Sequence, residues 1–116
     1  MIAIASSNRI KLRKLILCSL SPYFKEDLKY LKKSWKPYVG KRRLKDLENI
    51  EFNKLYKKAN GAILLVGNRE SKERKRRVFD AHRKIKGSKL IEVKGARHNI
   101  SQKEYLDSLK EIISKL

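Results

Sequence analysis

The sequence predicts an α/β fold: a small three-stranded parallel sheet with flanking helices and a helical, cap-like insertion after the first strand. Three observations carry this reading. Short apolar-rich runs recur at "LILCSL", "AILLV" and "KLIEV". Each is closed by a turn residue, at Pro22, Gly67 and Gly95. The stretches between them show helical rather than alternating periodicity.

The first strand is expected over Lys14 to Ser19, a continuous apolar run suited to burial on both faces. In "FKEDLKYLKKSW", Phe24, Leu28, Leu31 and Trp35 recur at spacings that place them on one face of an amphipathic helix. Pro37 and Gly40 interrupt that pattern. "RRLKDLENIEFNKLYKKAN" follows as one or two short helices, with Leu44, Leu47, Phe52 and Leu55 inward. This insertion covers about residues 24–59 of what reads as one domain. Ala62 to Val66 is the clearest strand, apolar throughout and bracketed by glycines. Ser71 then caps a helix whose stripe is Val78, Ala81 and Ile85, and Gly87 stops it. "KLIEV" is the third strand. The last helix has Ser101 and Glu104 at capping-box spacing, with Tyr105, Leu106, Leu109, Ile112, Ile113 and Leu116 as its apolar face.

The charge balance is unusual. Thirty-one Lys and Arg against twelve Asp and Glu give a formal net charge of +19. Such a surface attracts nucleic acid, an anionic membrane surface or an acidic protein. It is equally consistent with a Lys-rich composition that serves no partner. "GKRR" (Gly40 to Arg43) and "KERKRR" (Lys72 to Arg77) are candidate phosphate contacts, although the second run goes most of the way round a helix. Tyr23, Tyr30, Trp35 and Tyr38 are candidates for stacking on single-stranded bases, with core packing the competing reading for Trp35.

No apolar run approaches the roughly 18–20 residues of a membrane span. The N-terminus lacks the basic region of a secretory signal, so a cytoplasmic location is expected. The single Cys18 excludes an internal disulfide, and its apolar setting suits a buried, inert thiol. No spacing of His, Cys, Asp or Glu implies a metal site, and "GNRES" is not a phosphate-binding loop. No cofactor is implied. His82, mid-helix among Lys and Arg, reads as a solvated surface residue.

In a parallel sheet, function collects at the carboxyl ends of the strands. Two candidates sit there: Glu70 after the middle strand, in "VGNRE", and His98 after the last, in "KGARHN". A carboxylate beside an imidazole fixes its tautomer and stabilises the imidazolium during proton transfer. Each has a plain alternative. Glu70 suits a helix N-terminus, and a loop histidine often bonds a backbone carbonyl. Glu73 is a second candidate acid.

These residues resemble the C-terminal half of an α/β-hydrolase-fold protein. In that family a strand reading "LLVG" leads within a few residues to the acid, and "G-x-x-H" presents the histidine before the last helix. "ILLVGNRE" and "VKGARHN" match in order, with Glu70 and His98 separated by 28 residues. "KLILCSLSPYF" resembles the strand that leads into the family's variable helical cap. The resemblance implies descent from a serine hydrolase acting on an ester, thioester or amide, with His98 as base and Glu70 as its acid. The family's nucleophile motif, G-x-S-x-G, is absent. "MIAIASSN" resembles the helix after that motif, so Ser6 and Ser7 stand on the wrong side of the elbow. The resemblance therefore implies a chain lacking the nucleophile-bearing half and inactive alone. Its expected partners are a missing N-terminal segment or a second copy of the chain, and a small ester-type substrate for the complete site. A basic nucleic-acid- or polyanion-binding module is the alternative.

Overall fold

The structure is a computed structural model that describes residues 14–116. Three strands, β1 (Ile16–Cys18), β2 (Ile63–Gly67) and β3 (Lys89–Val93), form a parallel sheet in the order β1-β2-β3. Short helices α1 (Lys36–Val39), α2 (Lys41–Leu47) and α3 (Phe52–Leu55) follow β1. The longer α4 (Lys72–Lys84) and α5 (Lys103–Ser114) follow β2 and β3.

β2 is buried along its whole length because both faces are covered. Leu64 and Val66 face one core with Val78, Ala81 and Ile85 of α4, joined by Phe24 and Phe52 from the insertion. Ile63 and Leu65 face the other, with Val93, Ala96 and Tyr105. Side chains alternate along a strand, so an all-apolar run is what a central strand between two layers requires.

Ser71 caps α4 as its sequence predicts, its hydroxyl accepting from the Arg74 amide at 3.4 Å. Gly87, at φ +68°, turns the chain back toward β3. The insertion departs from expectation. No continuous helix spans Phe24 to Trp35; two 3₁₀ turns, Lys25–Tyr30 and Lys33–Trp35, are separated by extended backbone at Leu31. The predicted stripe also fails at its end, because Trp35 is 44% exposed. Within the first of these turns Asp27 is buried, and its carboxylate binds Arg76 and Arg77 rather than facing water.

Arg77 is the centre of that clamp. Its guanidinium lies 4.5 Å from the Phe52 ring centroid and 5.3 Å from that of Phe24. Nε reaches Asp27 at 3.1 Å and Nη2 reaches Asp80 at 2.6 Å. Two members of the basic run, Arg76 and Arg77, are thus engaged in holding the insertion against α4 and are not free to track phosphates.

Other expectations shift locally. The Ser101–Glu104 capping box does not form, since α5 begins after Gln102. Instead Asn99 Oδ1 accepts from the Ser101 amide at 3.0 Å, and Gln102 Oε1 accepts from the Arg97 amide at 2.7 Å. On α5, Tyr105 is buried, whereas Leu106 and Ile113 are exposed, as is Leu116 just past its end. His82 is half-buried rather than solvated, with Nδ1 at 2.8 Å from the Ser88 hydroxyl. Cys18 is half-buried, and burial raises its thiol pKa. Ser6 and Ser7 lie outside the described residues. No helix among the described residues is long and apolar enough to cross a membrane.

Candidate functional site

The site forms where the loops after β2 and β3 meet at the carboxyl end of the sheet. Gly67 ends β2 against the backbone of Ala96. A Cβ at position 67 would lie 2.3 Å from the Ala96 carbonyl oxygen, so only glycine admits this approach. The Asn68 amide donates to Val93 O and the Arg69 amide to Ala96 O, both at 3.0 Å. Asn68 Oδ1 accepts from the Gly95 amide at 2.9 Å. These bonds tie the two loops together and bring Glu70 and His98 to one point.

His98 Nδ1 lies 3.1 Å from Glu70 Oε2. The two candidate residues are therefore neighbours. A third joins them from the end of β1. Ser19 Oγ lies 2.6 Å from Glu70 Oε2 and 2.5 Å from His98 Nδ1. Each strand of the sheet thus contributes one polar side chain to the same cluster.

Ser19 adopts a left-handed backbone, φ +49°, which costs a non-glycine residue conformational energy. Its amide continues the sheet by donating to Leu65 O at 2.8 Å. The left-handed turn follows directly and leaves the hydroxyl buried beside the carboxylate.

Glu70 is saturated with donors. Oε1 accepts from the Gly67 amide at 2.9 Å and from the Tyr105 hydroxyl. Oε2 accepts from Ser19 and faces His98 Nδ1. Burial alone would raise its pKa. The bonds from Ser19, Tyr105, Gly67 and His98 outweigh burial and hold the carboxyl below its ordinary value. Burial, then the bond and charge of Glu70, push the Tyr105 phenol well above its ordinary value. At neutral pH the pair is carboxylate and phenol.

This bonding assigns the imidazole. The single Ser19 hydroxyl proton goes to Glu70, so Nδ1 must donate, to Ser19 Oγ and Glu70 Oε2. The neutral ring then carries its lone pair on Nε2, which has no hydrogen-bond partner among the described residues. The His98 side chain is 37% exposed, whereas that of Glu70 is wholly buried. The arrangement is a buried acid, a fixed tautomer and an open basic nitrogen.

Ser19 stands on the acid side of the ring. A nucleophile in such a relay bonds Nε2, while the acid bonds Nδ1. Ser19 shares Nδ1 with Glu70 and so does not occupy the place a nucleophile would take. Glu73, the other candidate acid, sits in the first turn of α4, where its own backbone amide and then the Ser71 side chain lower its pKa. No group of three or more metal-ligating side chains gathers among the described residues.

Sequence reasoning found Glu70 and His98 and missed Ser19, Tyr105 and Gly67. A signal for Ser19 was present: it is the first polar residue past β1, placed as Glu70 and His98 are past theirs. Tyr105 gave no such signal, because a tyrosine at helical spacing reads equally as core. No protein-family model, curated protein or solved structure matches the chain.

Proposed function

We propose that this chain carries the acid–base half of a serine-hydrolase-type site, as the α/β-hydrolase resemblance implies. His98 serves as the base through Nε2, and Glu70 orients the ring and balances the imidazolium. The reaction class is acyl transfer from an ester, thioester or amide. The observation that supports this reading is the shared bonding of Ser19, Glu70 and His98 Nδ1 at three adjacent strand ends, with Nε2 left open.

The described residues show no hydroxyl or thiol bonded to Nε2, so in this reading they supply the base and its acid without a nucleophile. The nucleophile and the oxyanion donors come from polypeptide outside the described residues.

Two measurements test the reading. Nitrogen-15 NMR of the neutral His98 ring is expected to show its proton on Nδ1; a neutral ring with its proton on Nε2 removes the base. A fluorophosphonate probe, which labels activated serines, is expected to leave Ser19 unmodified. Labelling of Ser19 that disappears in His98→Ala would overturn its place on the acid side of the ring.

A further inference from the structure

One concave feature of the fold is lined by none of Ser19, Glu70 and His98. A cleft of about 130 Å³ opens between the two 3₁₀ turns of the insertion and the first turn of α4. Tyr23, Tyr30 and Trp35 supply its aromatic lining, and Lys32, Arg74 and Glu73 supply its charges. Three of the four aromatic residues picked out in the sequence as stacking candidates therefore converge on one place. The fourth, Tyr38, is 89% exposed and is not among the lining residues.

Folding leaves these groups available. Tyr30 and Trp35 remain 46% and 44% exposed, so both rings are reachable from solvent. Arg76 lies 3.9 Å from the centroid of the Tyr30 ring, fixing that wall. Trp35 makes no ring contact among the described residues. Neither Lys32 nor Arg74 has an ion-pair partner within 4.0 Å among them. Glu73 is also in the lining, so the cleft carries two cations and one carboxylate.

We infer that this cleft binds one nucleobase with its phosphate. Every base presents a π-face to stack on an aromatic side chain, and a lysine–arginine pair suits the attached phosphate. Glu73 is placed to accept from the ring's N–H edge. Size limits the occupant. Cavities of roughly 150 Å³ hold a single benzene ring, so one six-membered ring fits and a stack of bases does not. The chain's +19 charge favours any phosphate-bearing ligand at the encounter stage. The source is either a free nucleotide or one residue of a single strand. The inference stands independently of the acyl-transfer reading.

The chain contains one tryptophan, Trp35, so its fluorescence reports this cleft alone. Titration with uridine 5′-monophosphate and with oligouridylate is expected to quench it saturably. Inorganic phosphate is expected to leave it unchanged, and uridine to bind more weakly than its phosphate. Quenching by both probes identifies a nucleotide site; quenching by oligouridylate alone identifies a single-strand site. With labelled oligouridylate followed by anisotropy, Trp35→Ala should weaken binding by roughly 5–150-fold, and Arg74→Ala should flatten the salt dependence. Trp35 is exposed and Arg74 half-buried, and circular dichroism of the variants checks that the fold is kept. Absence of quenching by either probe at low salt overturns the proposal. So does salt-sensitive binding that neither substitution weakens, which would be attraction to the basic surface as a whole.

Discussion

Glu70 Oε2 and His98 Nδ1 lie 3.1 Å apart, joined by the Ser19 hydroxyl that touches both. The contact crosses from the β2 loop to the β3 loop. It depends on a carboxylate that stays charged while its side chain is fully buried. Three consequences can be measured, and a fourth test lies away from the site.

Acid sensitivity is the first. Glu70 titrates below its ordinary 4.5 in the folded chain, and at about the ordinary carboxylate value when unfolded. A lowered folded-state pKa contributes stability that is complete above the unfolded value and is lost as pH falls through the folded one. Stability should therefore fall below about pH 4.5 more steeply in the native chain than in Glu70→Gln. Urea unfolding at a series of pH values reads this. Parallel curves would mean that the Glu70 carboxylate gains nothing from its four donors.

Tyr105→Phe removes one donor and keeps the ring in the core. A hydrogen bond to a charged group contributes about 1.5–3 kcal/mol, and that loss is expected in the unfolding free energy. The acid limb of the stability curve should also flatten, because the Glu70 pKa moves back toward its ordinary value. A loss of stability with an unchanged acid limb would show that the phenol packs without supporting the carboxylate.

Ser19 separates hydroxyl chemistry from backbone strain. Ser19→Ala loses the hydroxyl and keeps the left-handed cost at φ +49°. Ser19→Gly loses the hydroxyl and relieves that cost. Alanine should therefore be the more damaging, by on the order of 1 kcal/mol. The order of the two unfolding midpoints decides the matter, and glycine falling below alanine would place the backbone of Ser19 in an unstrained region.

The Asp27 clamp gives a stability test away from the site. Asp27→Ala removes one of the two carboxylates that bind buried Arg77 and leaves Asp80; breaking a buried pair costs roughly 3–5 kcal/mol when no partner remains, so the loss is expected at or below the lower end of that range. Arg83→Ala touches only an exposed pair and should change stability by less than about 1 kcal/mol. Similar losses from the two substitutions would contradict the burial of the Asp27–Arg77 pair.

The local order of the sequence determined the rhythm of strands and helices and the placement of Glu70 and His98 at strand tips. A continuous apolar run with glycine on either side has few solutions, and residues just past adjacent parallel strands must emerge side by side. The same logic reached β2, the Ser71 cap and the inward face of α4, because each rests on residues a few positions apart. Tertiary structure alone decided the rest. Whether Asp27 faces water or Arg77 depends on a helix some fifty positions away (50 for that pair), which no local spacing signals. Ser19 enters the cluster only because β1 lies beside β2, and Tyr105 only because α5 packs over the β2 end. A hydroxyl shows its role through the proton it gives and the group that receives it, and those partners are set by packing between distant segments rather than by neighbours along the chain.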